Sequence, residues 1–378
     1  VPLPSDVLAE FPIAGEASYL NHAASAPLPR RSAETLRRYA DERQQLFTLY
    51  QTGTQDYDTS ELRNKLGALL NAPADRIGFV PTTTDGIAAT LNGIDWRPGD
   101  NVVVAANDFP GVVYSCLHLA RRGVEVRRVP VPDTHLELDD LIGAVDRRTR
   151  AAAVSHVHWQ TGHRIDLDRF GAACRERSVL SIVDAIQSAG AHPIDVTAAE
   201  VDVLVAGTYK WLLGMHGLAV LYLSERALGS LIPDRAGWAS MATPVHADPV
   251  LDWAPDATRF AVGGAADPAL MVLRRSVDLL LEVGVVQIAT HVDALLERLV
   301  AGLPGKVARV ISRRDPPSRS AIISLTTGNH GRDRALVGAL ARHRIIVAQR
   351  GPGIRVSPHL HNSVADIDRL LEGIDSFR

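Results

Sequence analysis

Residues 180–187, Leu-Ser-Ile-Val-Asp-Ala-Ile-Gln, and residues 201–211, Val-Asp-Val-Leu-Val-Ala-Gly-Thr-Tyr-Lys-Trp, decide how the chain is read. Each opens on an apolar run of strand length and closes on a residue able to do chemistry, Asp184 in the first and Lys210 in the second. Near-continuous apolar runs mark strands covered on both faces, and parallel sheets of such strands bind ligands beyond their carboxyl ends. The alternation continues outward. Upstream, helical pattern over 33–42 and 60–70 leads to strand 77–80 and a Thr-rich turn opening a helix. Strand 101–105, helix 112–122, strand 124–129, helix 138–145, strand 151–155 and helix 167–177 follow, and 217–223 supplies the last strand. Helices of this length between strands predict right-handed crossovers in an α/β fold, a mainly parallel seven-stranded sheet flanked by helices.

Beyond about Pro255 the pattern changes to long helical runs, 268–283 and 286–302, and then to short strands at 307–311, 321–325, 344–348 and 353–357 with helices at 334–342 and 364–376. The chain is therefore expected to form a large domain over residues 17–255 and a smaller C-terminal α+β domain over 256–378, on which residues 1–16 pack. With 378 residues, 46% of them hydrophobic and 22% charged, it is neither disordered nor fibrous. A formal net charge of −3 with no basic block excludes a nucleic-acid footprint. No stretch approaches the roughly 18 apolar residues of a membrane span, and the first residues lack a signal-peptide pattern. A cytoplasmic protein with a small-molecule partner, and neither nucleic acid nor membrane, is expected. Cys116 and Cys174 fall in amphipathic helical stretches and read as reduced packing thiols. No metal-ligand set is read.

Of 40 Lys and Arg residues, only Lys65, Lys210 and Lys306 are lysine, and Lys210 alone lies between apolar stretches. Only a primary amine forms an imine with an aldehyde cofactor, and Arg cannot replace it. A snorkelling surface lysine is the plain alternative. Asp184, at a strand's end, suits the counter-ion of a protonated pyridine nitrogen, which makes the ring an electron sink; an N-cap would look the same. Gln187 could then reach the ring's phenolic oxygen. In Thr82-Thr83-Thr84-Asp85-Gly86, hydroxyls and free N–H groups at a helix start form a cradle for phosphate, or an ordinary cap. Thr208 and Tyr209 would add hydroxyls on the far side. Together these residues point to pyridoxal 5′-phosphate (PLP) held as a Schiff base on Lys210.

Thr-rich turn, Asp184-Ala-Ile-Gln187 and Gly207-Thr-Tyr-Lys210-Trp, in that order, resemble the class V aminotransferase family of fold-type I PLP enzymes, in its cysteine desulfurase-like, C–S lyase and isopenicillin N epimerase-like branch. The resemblance implies that Lys210 is the Schiff-base residue, Asp184 the pyridinium partner, Gln187 the phenolate-oxygen donor and Thr83 and Thr84 phosphate ligands. It places Phe109 on the cofactor's ring face and Arg355 on the substrate carboxylate. Asn21, His22 and Ala24 correspond to the loop lining the substrate side, and Trp159, in its Trp-x-Thr-Gly setting, to the loop over the cofactor. His158, Tyr50, Tyr57, His359 and His361 could line the side-chain pocket. The family implies a homodimer with shared active sites, in which a hydroxyl crosses to the partner's phosphate; Gly264 stands at that position, leaving only its backbone N–H.

No cysteine follows Cys174, and the loop before Arg355 is short, so sulfur transfer to an enzyme thiol is not expected. The leading reading is a C–S β-lyase, performing α,β-elimination on a cysteine S-conjugate or similar amino acid. An aminotransferase, epimerase or decarboxylase of the same family is the alternative. A non-catalytic PLP-fold ligand sensor is the non-enzyme reading; such sensors carry a helix-turn-helix, for which Val1–Glu16 is too short. The preference for Arg over Lys is associated with bacterial specialised metabolism.

Overall fold

The computed structural model describes residues 5–45, 58–132, 135–243, 250–264 and 266–377, so Tyr50 and Tyr57 lie outside the described residues. A two-residue strand β1 (Ser18–Tyr19) comes first. Next come β2 (Ile77–Val80), β3 (Asn101–Ala105), β4 (Glu125–Val129), β5 (Thr149–Ser155), β6 (Leu180–Asp184), β7 (Val203–Gly207) and β8 (Ala219–Leu223). Among the described residues these seven form one sheet in the order β2-β8-β7-β6-β5-β3-β4, with β8 antiparallel to both its neighbours and the other six pointing one way. The expected α/β architecture is the one observed.

Every residue of β3, β6, β7 and β8 is buried, which is why these strands read as unbroken apolar runs. Successive side chains point to opposite faces, so Val103 and Ala105 enter one apolar layer while Val102 and Val104 enter the other. At one edge β4, Glu-Val-Arg-Arg-Val, stays largely solvated, and its charges discourage pairing with a further strand. The helix expected over 112–122 starts at Pro110, whose ring presets the first helical turn, and becomes a 3-10 helix at His118–Arg122.

Helices Asp267–Val283 and Val285–Gly302 meet at 75° around Gly284, whose φ of +85° allows the turn. No single helix among the described residues is long and apolar enough to cross a membrane. Strands β9 (Arg309–Val310), β10 (Ile323–Thr326), β11 (Ile345–Ile346), β12 (Ala348–Arg350) and β13 (Gly353–Val356) complete the chain's sheets. Four of them make an antiparallel sheet in the order β12-β13-β10-β9. The single strand expected over 344–348 is therefore two. Arg344 has a φ of +58°, outside strand geometry, and β11 leaves the small sheet to pair in parallel with β1. Asn21 bridges Ser357 nearby, and Phe11 stacks on His361 at 4.6 Å. The carboxyl ends of β2, β3, β5, β6 and β7 share one edge, and the strand order reverses between β3 and β5, where open parallel sheets place their ligands.

Candidate active site

Buried hydrogen bonds shape the β7–β8 connection that carries Lys210. Thr208 Oγ1 donates to Met215 O at 2.7 Å, and Gly214 N donates to Thr208 O at 2.8 Å. Trp211, fully buried, donates from Nε1 to Gln187 Oε1 at 2.9 Å. Held between these anchors, Lys210 is 6% exposed. Burial pulls its ammonium pKa down; the nearby Asp184 carboxylate opposes this, while Arg355 and Arg350 reinforce it. A snorkelling lysine would keep its amine in water, and this one does not. Asp184 closes β6 and is buried more deeply still. Burial pushes its carboxyl up, with Asp108 adding repulsion, against the Ile186 N–H that it accepts at 2.9 Å and the charge of Lys210.

Asp108 escaped the sequence reading. Its Oδ1 accepts from Phe109 N at 2.6 Å and its Oδ2 from Ser155 N at 2.8 Å, while Ser155 Oγ also bonds it. Ser155 faces Asp184 across the β5–β6 ladder, so this carboxylate ties Phe109 to the strand ends beside Asp184. An acid directly after a strand and before Phe-Pro was the available signal. The Phe109 ring lies with its centroid 5.9 Å from Lys210 Nζ and meets Trp159 edge-on at 5.9 Å.

Gln187 Nε2 donates to Ala23 O at 3.0 Å. Because the indole N–H of Trp211 can only donate and a carbonyl can only accept, the amide has one possible orientation, and one N–H remains for a ligand oxygen. Thr82, not Thr83, caps the helix Thr83–Asn92 by accepting from Asp85 N at 3.0 Å. Thr83 Oγ1 accepts from Gly207 N at 2.9 Å, which joins this helix start to the end of β7, and Thr84 is exposed in the first turn.

Two expectations need correction. Thr208 gives its one proton to Met215 O and is fully buried, so its hydroxyl shapes the lysine loop and cannot donate to a phosphate. His22 is also fully buried; its Nδ1 meets Ser357 O at 3.2 Å, and its ring packs against Tyr19, Trp211, His359 and His361. No surface of that ring faces a substrate. His359 and His361 belong to the same interior cluster, and His158 bonds Thr161 Oγ1 and Asn107 O. Elsewhere in the N-terminal loop, Asn21 keeps a buried Oδ1 without a partner and Ala24 is half-buried. The Tyr209 ring stacks on His216 at 3.7 Å and lies 5.6 Å from Lys210 Nζ. Gly264 sits in an exposed turn, where a Cβ would lie 3.7 Å from the Trp238 ring.

Arg355, on β13, is 1% exposed. Its Nη1 donates to Trp159 O at 2.7 Å, while Nε and Nη2 are buried without partners. Burial, with repulsion from Arg350, pulls the guanidinium pKa down to about 10. Such an uncompensated buried cation costs on the order of several kcal/mol, and the vacant Nε–Nη2 edge is the one a carboxylate grips with two parallel bonds. The Trp159 carbonyl is delivered by a loop that depends on Gly162. That residue has a φ of +72°, and a Cβ there would lie 2.2 Å from Ile322 O. Arg350, on β12, was likewise not singled out from sequence; exposed and without an ion pair among the described residues, it adds to the positive field over Lys210 and Arg355.

A buried amine, a buried carboxylate with no guanidinium partner among the described residues, a helix start and an aromatic ring form a donor set that fits PLP. The family comparison agrees: residues 18–370 match the model for Aminotransferase class-V. The chain belongs to that class-V family. As a class-V enzyme it depends on PLP. This class-V protein is 28% identical over 403 residues to a cysteine desulfurase of Salmonella agona, covering 97% of this chain and 96% of the relative. It is 27% identical over 318 residues to an uncharacterized aminotransferase of Bacillus subtilis, covering 84% and 83%. Among solved structures it resembles C-DES. A variant of C-DES with glycine covalently linked to the PLP cofactor matches at a TM-score of 0.87 and 25% identity, over 98% of this chain and 99% of that one. C-DES as a cystine C–S lyase with its product cysteine persulfide matches at 0.86 and 26%, over 97% and 99%.

Proposed function

We propose that this class-V enzyme is a C–S β-lyase that cleaves the Cβ–S bond of a cysteine S-conjugate or a similar β-substituted amino acid. The observation carrying this reading is the state of its two thiols. Cys116 and Cys174 are both buried in helices, and burial pushes each thiol up to about 12, so neither serves as the nucleophile that sulfur transfer requires. Elimination needs no such thiol. The likeness to a cystine C–S lyase supports the same choice.

PLP bound on Lys210 supplies the electron-withdrawing ring that stabilises negative charge at Cα. Asp184 would hold the ring nitrogen, Phe109 would pack on the ring, and Thr83 and Thr84 would offer a helix start to the phosphate. Arg355 grips the substrate carboxylate through Nε and Nη2 and fixes which substituent of Cα faces Lys210. Once the substrate's own amine has taken its place on the cofactor, Lys210 would be free to accept the Cα proton, and its burial favours the neutral form that this needs. As that proton moves to Nζ, the Cα electron pair becomes a Cα=Cβ bond and the thiolate leaves Cβ; hydrolysis then yields pyruvate and ammonia. Homodimerisation belongs to this reading, with the exposed Trp238 and Val262 beside Gly264 as its apolar contacts.

Incubation with L-cystine and cysteine S-conjugates should release pyruvate together with a thiol or persulfide, and Lys210→Ala should abolish the release. Conversion of the cofactor to its pyridoxamine form by an amino donor, without pyruvate, would establish an aminotransferase instead. Deuterium entry at Cα with inversion and no keto acid would establish an epimerase.

A further inference from the structure

A cavity of about 570 Å³ lies between the helix Ser60–Leu70, the segments Arg164–Asp168 and Pro193–Asp195, and the helix junction at Leu281–Val286. None of its lining residues belongs to the cofactor and substrate set described above. Its polar groups have a definite sense. Arg164 donates from Nε to Arg319 O at 3.0 Å and from Nη2 to Pro316 O at 3.2 Å, while Nη1 makes no hydrogen bond and no carboxylate pairs with the guanidinium among the described residues. His156, only 3% exposed, lines the same space. Its Nδ1 meets Ser188 Oγ at 2.9 Å, and that hydroxyl gives its own proton to Ala185 O at 3.2 Å. In the tautomer protonated at Nδ1, which this serine bond allows, the free lone pair is on Nε2. Burial and the adjacent Arg164 keep the ring neutral. Asp166 and Asp195 stand at the rim, and Leu69, Ile194 and Val285 supply an apolar wall.

We propose that this cavity is a second site for a free aliphatic α-amino acid, with its carboxylate on Arg164 Nη1, its ammonium on His156 Nε2 and the acidic rim, and its side chain on the apolar wall. A donor cation, a neutral acceptor and carboxylates in one apolar space match a zwitterion better than a simple anion or amine. The site bears on the cofactor region directly. His156 N donates to Asp184 O at 2.9 Å, and its ring holds Ser188, the residue after Gln187. An occupant thus sets the segment that carries both cofactor contacts, whatever reaction the enzyme performs.

Equilibrium dialysis of L-leucine against PLP-loaded Arg355→Ala protein, which lacks the active-site carboxylate donor, tests this. One saturable equivalent per chain is expected, weakened at least about tenfold by adding Arg164→Ala, since a charge-assisted bond is lost. Adding Ile194→Trp instead, which fills the cavity and leaves Arg164 in place, should do the same if Arg164→Ala misfolds. 4-Methylpentanoate, without the ammonium, and isoamylamine, without the carboxylate, should each compete far more weakly than leucine. Absence of saturable leucine, binding unchanged by cavity filling, or equal competition by all three compounds would each overturn the proposal.

Discussion

Arg355 shows how one side chain can be costly to the empty protein and useful to the working one. Replacing it by Ala should raise KM for an amino-acid substrate roughly 100-fold, about 3 kcal/mol for a lost charge-assisted pair. The substrate-free protein should melt no lower, because an unpaired buried charge has been removed. Steady-state kinetics and calorimetry check both halves; a lower melting point with KM unchanged would make Arg355 structural. Asp184 acts on Lys210 through charge. Its carboxylate raises the amine's pKa, so in Asp184→Asn that pKa falls further below its ordinary value. The cofactor-free variant should then take up PLP with a pH–rate profile displaced to lower pH, visible by stopped-flow absorbance, and hold PLP at least about tenfold more weakly. Lys210 and Asp184 were legible in sequence because their chemistry admits few residue types, each at a strand's end. Thr208 and His22 were misread because the direction of a hydroxyl proton and the burial of a ring depend on neighbours far along the chain.

The loops are as informative as the strands. Thr208→Val keeps the shape of the lysine loop but leaves Met215 O without its donor, so it should cost about 1–3 kcal/mol in urea melts. PLP affinity should stay near that of the parent, whereas a direct phosphate ligand would lose it. Gly162→Ala combines a left-handed backbone with a close approach to Ile322 O, and should destabilise by more than about 1 kcal/mol while weakening substrate binding, because the Trp159 carbonyl that steadies Arg355 moves. The strands of the large sheet could be read almost to the residue, since burial on both faces writes an apolar run into the chain. The strand expected over 344–348 could not. Its split depends on β1, more than three hundred positions earlier, and no local pattern announces that partner.

At the scale of the molecule, the N-terminal and C-terminal segments close on each other through an interior cluster of His22, His359 and His361. Burial holds the pKa of His359 down to about 3 and that of His361 to about 4, with His22 also well below its ordinary value. A base depressed in the folded state contributes stability above its unfolded pKa of about 6.5, lost as pH falls toward the folded value. Each such imidazole adds up to about 1.4 kcal/mol per pH unit over that window. His361 has neither ring nitrogen hydrogen-bonded, so His361→Leu should be neutral or stabilising at pH 7 and should flatten the acid limb of stability between about pH 6 and 4. Denaturant titrations of both proteins across that range measure the difference; parallel acid limbs would show that the cluster is not the sensor. The same closure bears on how the protein is made. The Ala23 carbonyl that fixes Gln187 lies in a segment anchored by Ile345–Ile346 and Ser357. A nascent chain can stack its large sheet before residues 345–357 exist, but the Ala23 carbonyl takes its place beside Gln187 only after they are made, so the cofactor pocket is completed later than the sheet that carries it.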